Sequence, residues 1–341
     1  MVTKIGLDLG YANITLSDIT AGVYREPSVA LVNKNTRAVL SVGNAAAAGE
    51  GGENPGAMLV RPFKNGLLFD SKITQGIVEN AIGGILPVEH LRCVVGVPSD
   101  LHVKQERELF AILTSVGVHE CFSVNRSVAA LIGAGYSPSI SAISVNIGAS
   151  CTEVSVLHGG EIILCGRSMV GGEDFDKAVK QYIYDQGDVT VSLSVARAIK
   201  EKLGAVWPGR ENSSIDIEGT LSLTGNKVRM TITTEDIAGV FEKPLHAVLS
   251  SIADVVKKIP YESVKEIFEN GIVLTGGGAE LFGIEIMMQK VLGVNVTKPL
   301  DAIDCVAKGL SRVNNIIPAK VRAGNKNVTE MLAKYYADKN K

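Results

Sequence analysis

Three short glycine-containing segments carry the residue types that could hold a phosphorylated ligand. Asp8-Leu-Gly10 places a carboxylate two positions before a glycine. A glycine turn lets backbone N–H groups approach a phosphate, and the aspartate beside it can hold a magnesium ion through water. Asn13 adds a side-chain amide donor, although the same D-x-G pattern also describes an ordinary hairpin. The second segment is Asn146-Ile-Gly148-Ala-Ser150-Cys-Thr152. Its small residues permit another close backbone approach, and Ser150 or Thr152 could donate a hydroxyl. A plain turn in a buried hairpin would use the same residues. The third, Leu274-Thr-Gly276-Gly277-Gly278-Ala-Glu-Leu, reads as lying after a strand and before a helix. Three glycines in a row give a flat surface suited to a nucleoside, with a phosphate at the helix N-terminus. Lys200 and Glu201, on a helix over 195–203, could reach ribose hydroxyls, unless they are simply solvated helix charges.

The elements that must position these residues read as a duplicated α/β protein. Apolar alternation runs into a glycine turn and out again at Lys4–Leu16, and the pattern returns at Ala142–Val156. Each hairpin heads a stretch of mixed strands and helices. Between them the periodicity predicts helices over 70–85, 103–116 and 127–135 and a strand at 93–97. The second half predicts helices after Gly171, over 191–203, 235–259, 261–269 and 302–313, a polar β segment over 215–234 and a strand at 271–275. Ser127 to Thr152 carries no charge, but glycines and Pro138 interrupt it and its period changes midway. That is a buried helix followed by a buried strand rather than a membrane span.

At 341 residues the chain is too long for one ordinary core, so two domains are expected. With 46% hydrophobic and 21% charged residues it is globular, and a net charge of -2 offers no general attraction to nucleic acid or anionic lipid. Cys93, Cys121, Cys151, Cys165 and Cys305 are scattered and lack CxxC spacing. They fit a reducing cytosol better than a disulfide framework or zinc site. The N-terminus enters a strand at once, without a signal-peptide pattern or room for an amphipathic anchor.

Taken in order, these motifs resemble the actin and heat-shock-chaperone ATPase superfamily, and most closely the MreB-type bacterial actins. Further matches in order and spacing are Arg61-Pro-Phe-Lys-Asn-Gly, Val97-Pro-Ser with Glu106-Arg, Ala129-Ala-Leu-Ile-Gly-Ala-Gly and Gly171-Gly-Glu-Asp-Phe-Asp. Ile199-Lys-Glu-Lys-Leu-Gly, Trp207-Pro-Gly, Asn270-Gly-Ile-Val-Leu-Thr-Gly-Gly-Gly-Ala and Cys305-Val-Ala-Lys-Gly continue the series. The resemblance implies an actin-like fold of two α/β lobes with a nucleotide cleft between them. Residues 1–135 and 318–341 would form the first lobe, with an insert near 25–60. Residues 136–317 would form the second, with an insert near 176–250. It further implies ATP or GTP with Mg2+ held through Asp8, nucleotide contacts from the three glycine segments with Lys200 and Glu201, and head-to-tail assembly of the chain with itself in the cytoplasm. Cell shape, organelle placement and DNA segregation are the roles such filaments serve.

Two departures fall on the chemistry. The second hairpin of the family usually begins with aspartate, and here stands Asn146; the water-orienting glutamate before the Ala-rich helix is replaced by Arg126. Tyr11 replaces a small hydroxyl residue. Arginine cannot orient water as a carboxylate does, but it can pair with a phosphate oxygen. Weak or lost ATP hydrolysis is therefore expected. Ile85-Leu-Pro-Val sits where the family can carry a membrane loop, and the tail after Pro318 has Val328, Met331, Leu332 and Tyr335 at helical spacing. That tail reads either as a membrane- or scaffold-binding helix or as a terminal helix packed on the first lobe. A monomeric actin-fold ATPase or kinase, and a chaperone-like adaptor, are the competing readings.

Overall fold

The computed structural model describes residues 2–20, 22–48, 56–64, 67–85, 88–317 and 326–339. β1 (Val2–Leu9) and β2 (Asn13–Asp18) form an antiparallel hairpin, extended by β3 (Gly22–Pro27). Ile5, Leu7 and Leu9 are buried at alternate positions along β1, and Gly6 between them is buried as well, on the other face. β4 (Ala30–Asn33), β5 (Val39–Val42) and β6 (Ala57–Val60) make a small separate sheet with α1 (Gly43–Ala48) against it. β7 (Phe63–Lys64) and β8 (Leu67–Leu68) pair before α2 (Ser71–Gly83), which Asp70 caps by accepting the Ile73 amide. β9 (His90–Val97) then lies parallel to β1; α3 (Val103–Ser115) leads to β10 (Glu120–Asn125), parallel to β9, and on to α4 (Arg126–Gly133).

The second half begins the same way. β11 (Ala142–Ile147) and β12 (Thr152–His158) form a hairpin, and β13 (Glu161–Ser168) adds an antiparallel strand. After α5 (Gly172–Gly187), β14 (Val189–Thr190) and α6 (Leu193–Leu203), the strands β15 (Ser214–Leu221) and β16 (Lys227–Thr233) join β14 in a small sheet. α7 (Glu242–Val256) and α8 (Tyr261–Asn270) precede β17 (Ile272–Thr275), which lies parallel to β11. A 3-10 turn (Gly277–Glu280), α9 (Ile284–Leu292), β18 (Val296–Thr297), a second 3-10 turn (Ala302–Asp304), α10 (Cys305–Ile316), β19 (Lys326–Asn327) and α11 (Thr329–Lys339) complete the chain.

The main sheets run β19-β10-β9-β1-β2-β3 and β13-β12-β11-β17-β18. In both, the first strand of the hairpin pairs antiparallel with its neighbour and parallel with a later strand, which is the duplication expected from the sequence. α4 and α10 lie between the two sheets, in a core that draws Val94 and Phe122 from one and Leu157 and Val273 from the other. Their approach depends on small residues: a Cβ on Gly133 would overlap the Cys305 carbonyl, and one on Gly309 would overlap the Ala129 carbonyl. α10 also lies flat on β1, where a Cβ on Gly6 would come within 2.6 Å of the Ser311 nitrogen. The hairpins therefore hang from one packed centre, with their turns facing a common space.

Two expectations need correction, and the tail follows one of the two readings open to it. The helix expected over 235–259 starts only at Glu242. Asp236 accepts the Thr233 amide and hydroxyl, and Gly239 adopts φ +85°, so the backbone turns before it coils. The glycine run opens a 3-10 turn of four residues rather than an α-helix, so no helix N-terminus awaits a phosphate there. The tail packs on the chain's own core through Val328 and Leu332, with Met331 against it, as the terminal-helix reading has it. Val328 and Leu332 are buried beside Phe122, and the Val328 amide donates to the Ser123 carbonyl at 2.9 Å. Pro318, Lys320 and Arg322, and Leu86 and Pro87 of the proposed loop, lie outside the described residues. Among the described residues no helix is long and apolar enough to cross a membrane.

Candidate functional site

The two hairpin turns are built alike. Gly10 donates its amide to the Asn13 carbonyl at 3.0 Å, and Gly148 donates to the Cys151 carbonyl at 2.9 Å. In each case the polar residue two positions earlier, Asp8 or Asn146, lies on the strand entering the turn. The turns face a cavity of about 440 Å³, a size suited to a nucleotide-like ligand. It is lined by Asp8, Gly10, Asn13, Arg126, Asn146, Gly148, Ser150, Lys200, Glu201, Gly276, Gly277 and Gly278, so the structure brings together nearly every residue singled out in the sequence.

Thr152 is the exception. It is fully buried and its hydroxyl donates to the Val170 carbonyl at 2.9 Å, which leaves Ser150 as the hydroxyl at this turn. Lys200 is at the cavity but engaged: its ammonium lies 2.6 Å from Asp176 Oδ1 and donates to the Gly172 carbonyl at 3.2 Å. Asp176 is wholly buried, and its other oxygen accepts from Arg197 Nε at 3.2 Å. This pairing fixes α6 against the start of α5 and orients the cavity face that carries Lys200 and Glu201.

The glycines of the third segment divide the work. Gly276 has φ +86°, and a Cβ there would stand 2.7 Å from Asn146 Oδ1; a Cβ on Gly278 would overlap Ile147. These two seat the loop on the second hairpin. At Gly277 the nearest atom to a Cβ is 3.8 Å away, in the Ile303 side chain, so this position is open on the cavity side.

Arg126 dominates the charge at the hairpin end. Its Nε donates to Asp8 Oδ1 at 3.1 Å, its Nη2 donates to the Leu9 carbonyl at 2.7 Å, and its Nη1 is 3.9 Å from Glu153. Burial disfavours the guanidinium charge, yet Asp8 and then Glu153 outweigh burial and its pKa is raised, so Arg126 stays charged. Glu153 in turn contacts Arg167 at 3.3 Å. Burial, aided by Glu153, raises the Cys151 thiol above its ordinary value, which keeps it protonated and unreactive at neutral pH.

A family model described as MreB/Mbl protein matches residues 2–321. The chain belongs to the MreB/Mbl family. It is 28% identical over 313 residues to the cell shape-determining protein Mbl of Bacillus cereus, covering 89% of this chain and 93% of that one. It is 27% identical over 316 residues to the cell shape-determining protein MreB of Escherichia coli, covering 89% and 91%. Among solved structures, MreB5 of Spiroplasma citri bound to ADP superposes with a TM-score of 0.86 at 22% identity, over 92% of this chain and 96% of that one. The MamK double helical filament superposes with a TM-score of 0.78 at 21% identity, over 93% and 100%. At such identities the likeness is one of fold, and the fold of this MreB/Mbl family member is actin-like.

Sequence reasoning passed over several residues of the site in this MreB/Mbl family chain. Arg61 donates to the Tyr11 and Ala12 carbonyls at 3.1 and 3.3 Å, bracing the first turn, and its guanidinium stacks 5.1 Å from the Tyr11 ring centre. Tyr11 and Glu173, the latter at the start of α5, line the cavity from the two halves of the chain and interact electrostatically. Burial and the neighbouring Glu173 carboxylate raise the Tyr11 pKa. Burial alone would raise the Glu173 pKa, but Lys177 and Tyr11 hold it below the usual carboxylate value. The Arg61 motif was visible in the sequence; its grip on backbone carbonyls was not.

Proposed function

We propose that this protein binds a nucleotide, ATP or GTP, in the cavity between the two hairpins and assembles with itself into cytoplasmic filaments that hydrolyse the nucleotide slowly or not at all. The observation that carries this reading is the convergence of both glycine turns and the open face of Gly277 on one cavity of about 440 Å³. Two neighbours of the same fold support it, one bound to ADP and one bound to AMPPNP. Self-assembly is supported by the double helical filament of MamK, whose entire chain is matched. The nucleoside would lie on Gly277 beside Lys200 and Glu201, with the phosphates toward Gly10, Gly148 and Ser150. Slow hydrolysis follows from the charge at that end. Arg126 stands where the family places a water-orienting glutamate, and a guanidinium cannot accept a proton from water. Cell shape is the role carried in the names of the curated relatives, and organelle placement or DNA segregation would use the same polymer.

Ultracentrifugation and negative-stain microscopy of the purified protein, with and without ATP or GTP, test this reading. Filaments that pellet and bind nucleotide are expected. A monomer at every concentration and salt would instead favour a soluble actin-fold enzyme or adaptor.

A further inference from the structure

A divalent cation at a triphosphate needs oxygen ligands whose negative charge is not already compensated. The hairpin end of this cavity does not offer them. Asp8, the carboxylate the fold would use, accepts from the Arg126 guanidinium at 3.1 Å. Asn146, its counterpart on the second hairpin, is neutral. Glu153 lies between Arg167 at 3.3 Å and Arg126 at 3.9 Å, and Glu173, beside both turns, is paired with Lys177 at 2.9 Å. The residues present therefore do not fit a tightly held magnesium ion.

They fit an internal cation. Arg126 is the first residue of α4, and its stem passes over Gly96, where a Cβ would come within 3.2 Å of Arg126 Cγ. Gly96 sits opposite Asp8 in the β1–β9 ladder, so the space for the arginine and the carboxylate that holds it are set by one register. Nε is committed to Asp8 and Nη2 to the Leu9 carbonyl, which clamps the side chain to the strand entering the first turn. Arg126 lines the same end of the cavity, and its Nη1 is too far from Glu153 for a hydrogen bond. A planar guanidinium fixed in this way presents N–H groups and a permanent positive charge to an incoming phosphate oxygen.

Building on the nucleotide-binding reading, we propose that Arg126 is a resident cation that takes over the charge-neutralising part of a bound metal, so that this chain binds nucleoside di- and triphosphates without magnesium. The neutral Asn146 belongs to the same arrangement, because an aspartate there would restore a charge for which no metal is held.

The test is a titration of the full-length protein with fluorescent N-methylanthraniloyl-ADP, in magnesium and in EDTA, with unlabelled ATP as competitor. The wild-type dissociation constant should differ by less than about threefold between the two conditions, whereas loss of a fixed charge-assisted contact is worth about tenfold or more. Arg126→Lys keeps the charge and should remain insensitive to EDTA. Arg126→Gln frees Asp8 and should bind about tenfold or more weakly in EDTA, with magnesium restoring much of the loss. Thermal melts establish that each variant is folded, and if the glutamine variant is not, the wild type and the lysine variant decide. Wild-type affinity that falls tenfold or more on chelation overturns the resident-cation proposal and leaves nucleotide binding standing. No binding under either condition overturns the nucleotide site itself.

Discussion

Replacing Gly277 with phenylalanine should abolish nucleotide binding while leaving the melting temperature close to that of the wild type. A Cβ at this position meets nothing nearer than 3.8 Å, and Gly277 lines the cavity where the proposed nucleoside would lie. Filling that surface should weaken ATP affinity by at least about a hundredfold. The flanking glycines should behave in the opposite way. Gly276→Ala meets a φ of +86° and Gly278→Ala drives into Ile147, so each should destabilise the fold by about 1–3 kcal/mol. Fluorescent nucleotide titration alongside thermal melts separates the two behaviours. Undiminished ATP affinity in Gly277→Phe would remove the site assignment.

Exchanging the charge at the hairpin end should convert the protein into a faster, magnesium-dependent ATPase. In the double variant Arg126→Glu with Asn146→Asp, Asp8 loses its guanidinium partner and gains two neighbouring carboxylates. Breaking this half-buried pair should cost about 3–5 kcal/mol of stability in EDTA. Magnesium should recover much of that loss, because the new cluster supplies the ligands that the wild type lacks. With a carboxylate able to orient water, phosphate release should rise by about tenfold or more, short of the full effect of a positioned general base. Arg126→Ala alone should not raise it. A wild-type protein that already hydrolyses ATP quickly, and loses this in Arg126→Ala, would show that the arginine assists the reaction.

Much of this site was legible because its backbone features leave local signatures. The turns at Gly10 and Gly148 need glycine where the turn's own carbonyl, of Asn13 or Cys151, comes close to where a Cβ would stand, and alternating strands on both sides announce them. The division among Gly276, Gly277 and Gly278 was not legible, since it depends on Ile147 and Asn146, more than a hundred residues away. Thr152 illustrates the same limit: its sequence position suits a phosphate contact, yet the hydroxyl turns inward to Val170. The departure at Arg126 could be read from its neighbours, and a phosphate was the partner it suggested. The structure also ties it to Asp8 and Leu9 across 118 and 117 positions, contacts that the parallel order β10-β9-β1 brings together. Helix 235–259 was overextended because its apolar periodicity continues through a turn that Asp236 and Gly239 impose.

A subunit of the proposed filament should hold nucleotide in this cavity and leave it largely intact. This expectation is tested most directly by the nucleotide content of filaments pelleted after assembly in ATP, washed, denatured and resolved by ion-exchange chromatography. The pellet should contain nucleotide in proportion to protein, and most of it should still be ATP well after assembly is complete. A pellet holding chiefly ADP from the outset, or filaments with no bound nucleotide, would contradict the account.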